Sequence, residues 1–516
     1  MKYKRTFADK LNTLLFGKDL RITKGERYKE EREFDYSSYY PVSEYIFPVD
    51  TPEENTCNIA DFGASPDKNA AENARAINEC IDFCSKNGKT TVIIDGGTYT
   101  CGTVILKSGV NLFIKKGSGI IADENAESIS NMALLYAENC SDISVTGGGE
   151  INGNGHLFGR KPLYDKNVTS DCDCIDVIEM RKVYRAQLRF AHESKYGRLV
   201  HFKNCKNVNI NNIVLADSPS WTLRLTKCDN VNIENLVIND NRHVANTDGI
   251  DLMQSSHVKI RHCFISCADD GIVLKNAVWE GCDGEMNDIH VSDCEVISCT
   301  NAFKIGTETT YPIKNVTVEN CRFFMTDLYP GSVSGISIES ADGSRVSDVK
   351  ISNIEMDRCT CPLFIRLCNR NRASKVNSQS ASAVEFSKKP VGKGSADKKL
   401  FDMTGEIENI RIKNIRATGV ELPVIITGFR QKGKTKRVKN ICLENFDLTY
   451  SDKKEVIDRR LFIPEYPKEY PECWRFRNLP SYALWVRHAQ NLNIRNFSCS
   501  PAPDAHRKKE IFKDVK

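Results

Sequence analysis

The feature that most constrains this chain is a short unit that keeps returning: Asn, Asp or His, then alternating apolar and polar residues, often closing on Asn. It reads Asn207-Val-Asn-Ile-Asn-Asn, Asn230-Val-Asn-Ile-Glu-Asn, His257-Val-Lys-Ile, Asp288-Ile-His-Val, Asn315-Val-Thr-Val-Glu-Asn and Asp348-Val-Lys-Ile-Ser-Asn. Asn409-Ile-Arg-Ile-Lys-Asn, Asn440-Ile-Cys-Leu-Glu-Asn and Asn491-Leu-Asn-Ile-Arg-Asn complete the series. Successive starts from 207 to 348 lie 23, 27, 31, 27 and 33 residues apart. A period of this size marks a stacked array, and alternation within the unit marks strands rather than helices. One such strand cannot bury its inner face alone. A parallel copy on each side closes the hydrogen-bond ladder and builds a continuous core. Asparagines at the same corner of successive coils can then bond up the stack. A β-propeller would need longer antiparallel blades with a turn signal for every strand. The uneven spacing suits coils with loops inserted on one face, so the expected fold is an all-β parallel solenoid.

Ahead of the repeats, Asn73 to Ser85 carries apolar residues at Ala74, Ile77, Ile81 and Cys84, a helical stripe stopped by Gly88. Thr91-Val-Ile-Ile and Thr103-Val-Ile-Leu read as strands, with Gly96-Gly97 as a turn between them. An N-terminal capping helix is the expectation, because an uncovered end coil is a sticky edge. The domain reading is an extension over 1–55 of unassigned role, a solenoid over 56–500 with insertions at 156–197 and 371–399, and a charged tail over 501–516. The second insertion, rich in Ser and Lys, reads as a solvated loop.

Charge and composition exclude several classes. A net charge of +4 leaves no strong footprint for nucleic acid. No run of about eighteen apolar residues exists, so no membrane partner is expected. The basic N-terminus is not followed by the apolar run of a secretory signal, which predicts a cytoplasmic location. The 21 cysteines then read as reduced, buried small hydrophobes. Two close pairs, Cys172/Cys174 and Cys359/Cys361, lack the partner cluster of a structural zinc site.

Chemistry concentrates in two segments, Asn246-Thr247-Asp248-Gly249-Ile250-Asp251 and Asp269-Asp270-Gly271-Ile272-Val273-Leu274-Lys275. Asp248 and Asp269 are 21 residues apart, about one coil. One coil later means the same face, one strand spacing up, roughly 5 Å. Three carboxylates therefore converge on one patch, where at least one pKa must rise. A carboxyl that keeps its proton is a general acid, and an ionised neighbour can polarise a water; together they equip a site for glycoside hydrolysis. A calcium site, or a polar ladder of turn aspartates, is the competing reading on spacing alone.

The motifs weigh on that choice. Ile59-Ala-Asp-Phe-Gly-Ala, Gly97-Thr-Tyr, Asn152-Gly-Asn-Gly, Ser218-Pro-Ser-Trp-Thr-Leu, Asn246-Thr247-Asp248 and Asp269-Asp270 together resemble the family-28 glycoside hydrolases, the polygalacturonase family. The resemblance covers about residues 57 to 365 and, more loosely, to 500. It implies a right-handed parallel β-helix and an inverting hydrolase working without metal or organic cofactor. By carry-over, Asp269 protonates the glycosidic oxygen, while Asp248 and Asp270 hold and deprotonate the attacking water. Inversion calls for a gap of roughly 6.5–9.5 Å between acid and base.

Departures from the family pattern bear on the substrate. Ile305-Gly306-Thr307-Glu308 stands where typical members have Gly-His-Gly. Gly335-Ile-Ser337-Ile-Glu339-Ser stands where they carry Arg-Ile-Lys, whose cations grip a sugar carboxylate. A hydroxyl and an acid replace those cations, and a carboxylate facing a uronate is repulsive unless other cations compensate. Asn246, Lys275, Glu308, Glu339 and Arg366 are the candidate substrate-binding residues. The expected substrate is a pectin-derived or related plant-wall oligosaccharide, cleaved from one end. A lyase or epimerase on the same solenoid, and a non-catalytic carbohydrate-binding protein, are the alternatives.

Overall fold

A computed structural model describes residues 39–45, 49–88, 90–158, 161–162, 174–175, 190–191, 196–326, 331–370, 372, 404–455 and 462–516. The repeat forms strands that stack in parallel and in register. Val208 pairs with Val231, Val231 with Val258, Val258 with Ile289, and the column continues through Val316, Val349, Ile410 and Ile441 to Leu492. That column is part of one continuous apolar core running the length of a parallel β-helix.

The repeat's periodic residue is a corner. Asn207, Asn230, His257 and Asp288 all hold φ between 53° and 60°, as do the closing Asn212 and Asn235 at 51° and 50°. Asn, Asp and His enter this left-handed region more readily than other non-glycine residues. The corner side chain then bonds the preceding coil: Asn230 Nδ2 donates to Asn207 Oδ1 at 2.8 Å, and Asn440 to Asn409 at 2.9 Å. The strands bend through these corners and run longer than the six-residue unit, as in Lys206–Ala216.

The helix spans Ala70–Lys86, three residues earlier than its apolar stripe, because Asn69 and Glu72 form a reciprocal capping box. Its buried face, including Ala74, Ile77, Ile81 and Cys84, packs against Thr91–Ile94, Thr98–Cys101 and Val104–Ile105. Thr98–Cys101 is an additional strand, and the one expected at 103–106 shortens to Val104–Ile105.

One wall of the solenoid positions the chemistry. Its strands are β1 (Arg198–Lys203), β2 (Trp221–Thr226), β3 (Ile250–Met253), β4 (Ile272–Asn276), β5 (Asn301–Thr309), β6 (Ser332–Ser340), β7 (Cys359–Leu367), β8 (Val424–Thr427) and β9 (Ser481–Ser500), each parallel to the next. Lys508–Val515, expected as a charged tail, is a tenth strand (β10) paired with β9. Its exposed Lys and Glu blunt that edge against further pairing.

The first insertion lies largely outside the described residues, as does nearly all of the second. Of the extension over 1–55, residues 1–38 and 46–48 are outside them. Tyr40 pairs its backbone with the Asn239 side chain, and Tyr45 stacks on Phe264 at 4.2 Å. The cysteines whose side chains are described are mostly buried, and all of these are free thiols; Cys172 and the Cys174 side chain lie outside the described residues. No described helix is long and apolar enough to cross a membrane.

Candidate active site

The two aspartate segments are the turns that enter β3 and β4. The Thr222 N–H donates to Asp248 O at 2.9 Å, Gly249 N–H to Asp270 O at 2.9 Å and Asp269 N–H to Thr247 O at 3.2 Å, so the turns stack one coil apart. Gly249 and Gly271 allow this closeness: a Cβ on Gly249 would lie 2.5 Å from Gly271 O. One oxygen from each of Asp248, Asp269 and Asp270 falls within 4.8 Å of the others. The closeness follows from Asp269 and Asp270 sharing one turn, with Asp248 on the stacked turn one coil earlier.

Two buried lysines flank the cluster. Lys275 Nζ lies 3.0 Å from Asp248 Oδ2 and 2.5 Å from Asp251 Oδ1, and 4.0 Å above the Trp221 ring. Lys304 Nζ lies 3.0 Å from Asp270 Oδ2, whose Oδ1 accepts from Asn301 at 2.7 Å and Thr300 at 2.8 Å. Asp269 Oδ1 accepts from Thr300 Oγ1 at 3.0 Å and from the Asp270 N–H at 3.1 Å, and Asn246 Nδ2 approaches its Oδ2 at 3.5 Å.

These surroundings separate the acids. Burial resists ionisation of Asp270, but Lys304 and Lys275, with the Asn301 and Lys304 hydrogen bonds, outweigh it and hold the carboxyl below its ordinary range. Burial lifts Asp248 well above the carboxylate range; Lys275 opposes this, and Asp251, Asp269 and Asp270 reinforce it. Asp251, sharing the same ammonium, is lifted by burial to about 6. The rise expected for one member of the cluster thus falls on Asp248, whose Oδ1 is buried without a hydrogen-bond partner.

The next two coils carry the departures. Glu308 is half-buried; desolvation resists its ionisation, yet Lys275, Arg370, Arg372 and Lys304 bring it down to about 2, and Arg372 binds it at 2.8 Å. Glu339 accepts from Ser337 Oγ at 2.6 Å, and its Oε2 has no partner. Burial, opposed by Lys304 and Ser337, pushes Glu339 up to about 8. Gly306 makes room for it: a Cβ there would meet Glu339 Cβ at 2.8 Å, and its φ of +120° favours glycine. Arg366 stands elsewhere. Its guanidinium donates to the carbonyls of Gly428 at 2.8 Å, Glu465 at 2.6 Å and Tyr466 at 3.1 Å.

The profile of Glycosyl hydrolases family 28 matches residues 84–389. The chain belongs to this family. It is 26% identical over 373 residues to an endo-polygalacturonase of Pectobacterium carotovorum, covering 65% of this chain and 86% of that one. It is 24% identical over 438 residues to an exopolygalacturonase of Rhizopus delemar, covering 81% and 96%. Among solved structures, the family 28 exopolygalacturonase of Yersinia enterocolitica superposes with a TM-score of 0.58 at 15% identity, covering 89% of this chain and 78% of that one. The Erwinia carotovora polygalacturonase gives 0.53 at 21%, covering 80% and 97%. The fold is shared with these proteins, and the chain is a glycoside hydrolase of polygalacturonase type.

Against the family pattern, the site includes residues that sequence reasoning passed over. Lys304 follows Phe303 and precedes Ile305, both core residues, so strand alternation alone points it outward toward the aspartates. Lys304 pairs in register with Ser337, so a cation sits one coil before the place where the family's usual Arg is replaced. Asp251 stood in the quoted motif, and its alternation with the core residues Ile250 and Leu252 marks the same face. Arg370, bonded to Asp342, and Tyr470, whose ring lies 5.3 Å from Arg370, come from irregular segments with no sequence signal.

Proposed function

We propose that this protein hydrolyses pectin-derived or related plant-wall oligosaccharides from one end, with Asp269 as general acid, Asp270 as base, and Asp248 helping to hold the attacking water. The carrying observation is the asymmetry of the three carboxyls. Asp270 is fixed as a carboxylate by Lys304, the state that a base requires, and Asp269 lies beside it on the same turn. A single inverting displacement is the course that the family resemblance implies.

Action at one end rests on the segment over 462–479. Arg366 and Arg487 hold its start through carbonyls, and Trp474 and Phe476 are buried in the cluster that covers Phe364, Ile425 and Trp485 on β7 to β9. Tyr470 from this segment reaches Lys304 at 3.5 Å, so the wall stands directly beside the aspartates. In this reading Arg366 supports the wall, Lys275, Glu308 and Glu339 shape the subsites, Asn246 steadies Asp269, and the Ala70–Lys86 helix caps the solenoid. A cytoplasmic location suits short imported substrates. Pectic oligosaccharides of defined length, followed by reducing-end release and product anomer, test the proposal. Inverted monosaccharide is the expected product. Internal cleavage of long polymer refutes end action, and retained anomers refute inversion.

A further inference from the structure

Thr300 precedes β5 and reaches back to both carboxyls of the Asp269-Asp270 turn. Its Oγ1 lies 3.0 Å from Asp269 Oδ1 and 2.8 Å from Asp270 Oδ1, and the residue is only 6% exposed. Neighbours fix it in place. The Thr300 N–H donates to Ser298 Oγ at 3.0 Å, Ser298 Oγ donates to Asp269 O at 2.5 Å, and the Val333 N–H donates to Thr300 O at 2.7 Å. A threonine hydroxyl carries one hydrogen and two lone pairs, so it donates to only one of the two carboxyls at a time. With both carboxyls ionised, the other contact sets a lone pair against an anion. With a proton on Asp269, that O–H donates to Thr300 Oγ1 while the Thr300 hydrogen goes to Asp270, and both contacts become hydrogen bonds.

The reverse placement, with the proton on Asp270, is opposed from the other side. Asn301 Nδ2 donates to Asp270 Oδ1 at 2.7 Å, its own Oδ1 accepting from the Ser334 hydroxyl, and Lys304 Nζ donates to Asp270 Oδ2 at 3.0 Å. An ammonium and a side-chain NH2 group are donors only, and both bond more strongly to a carboxylate than to a neutral acid.

We propose that Thr300 is a positioning residue for the proton of the aspartate pair: its one hydroxyl, shared by Asp269 and Asp270, favours the state with a proton on Asp269 and a charge on Asp270. That is the state an acid–base pair must hold before each cleavage, a role that deepens and rests on the hydrolase reading above. The titratable groups facing the pair are Asp248 and Asp251 on the coil before, Lys275 and Cys267 on its own coil, Lys304 on the coil after, and Glu339 and Tyr470 beyond. Replacing Thr300 by another uncharged residue alters none of these charges, so it isolates the hydroxyl.

Thr300→Val and Thr300→Ala remove the hydroxyl, and Thr300→Ser keeps it. Carbon-13 NMR of protein labelled at the aspartate side-chain carboxyls reads the titration of the pair without substrate, its signals identified through Asp269→Asn and Asp270→Asn. Two coupled carboxyls lose their protons in two steps that belong to the pair. Loss of the hydroxyl destabilises the one-proton state between those steps. It is expected to bring them closer by about one pH unit, the worth of one hydrogen bond to a carboxylate. Thr300→Ser is expected to keep most of the separation. The same narrowing is expected between the two limbs of the pH profile of kcat/KM on a pectic oligosaccharide, which report the free enzyme. A separation unchanged in both Thr300→Val and Thr300→Ala, or lost equally in Thr300→Ser, overturns the proposal. Reducing-end release by the unaltered protein is read separately. Narrowed steps without release refute the hydrolase reading and leave the shared proton standing; release with steps that do not narrow does the reverse.

Discussion

Lys304 Nζ and Asp270 Oδ2 stand 3.0 Å apart, both almost wholly buried, on consecutive coils. A buried acid facing a buried ammonium is ionised, and removing the ammonium leaves an uncompensated charge. Lys304→Met is therefore expected to raise the Asp270 pKa. If ionised Asp270 is the base, the acid limb of kcat/KM moves to higher pH by about one unit or more. Lys304→Arg is expected to restore part of the shift. A pH–rate profile with an unmoved acid limb removes Asp270 from the role of base.

Glu339 predicts a pH dependence of stability with the opposite sign. Its folded pKa is pushed up to about 8, above the ordinary carboxyl value of 4.5, so the folded state keeps a proton that the unfolded state releases. Stability from this group is full below about pH 4.5 and falls as pH rises through about 8. Glu339→Gln keeps a carbonyl for the Ser337 hydroxyl and removes the ionisation. Its stability relative to the unaltered protein is expected to improve between pH 5 and pH 8, by on the order of 1–3 kcal/mol. Denaturant melts at the two pH values measure this.

How much of this was legible follows from where each signal lies. The corner asparagines and the alternation around them betrayed the solenoid, because a left-handed corner and a two-sided strand each demand particular residues. Asp248, Asp269 and Asp270 were legible because a one-coil separation fixes their stacking. Lys304 was written in the alternation of β5 but carries no motif of its own. Arg366 shows the limit of that logic: alternation sets its face, yet Glu465 and Tyr466, about a hundred residues on, decide what the guanidinium meets. Tyr470 and Arg370 lie in irregular backbone, where no period ties sequence to direction.

The corner ladder gives a third expectation. Asn440 holds φ at 55°, donates to Asn409 Oδ1 and accepts from Asn491 Nδ2, both at 2.9 Å. Asn440→Ala loses both bonds and places a Cβ residue where the left-handed region costs about 1–2 kcal/mol. Asn440→Gly loses the bonds alone and relieves the backbone. Thermal melts are expected to rank the unaltered protein above the glycine variant and the glycine variant above alanine. Equal melting of glycine and alanine variants means that the corner carries no backbone strain.

The roles of Asp269 and Asp248 are separable by the leaving group. If Asp269 donates the proton to the departing oxygen, Asp269→Asn is expected to lose about 10²–10⁴-fold in kcat on a natural oligosaccharide. An aryl glycoside with a nitrophenolate leaving group departs without that proton, so the same variant is expected to recover most of its rate on it. Asp248→Asn removes a water-holding group instead, and no such recovery is expected for it. The test matters because burial lifts Asp248 well above the carboxylate range, the state that a proton donor requires. Recovery by Asp248→Asn, with Asp269→Asn remaining slow on both substrates, exchanges the two assignments and makes Asp248 the proton donor.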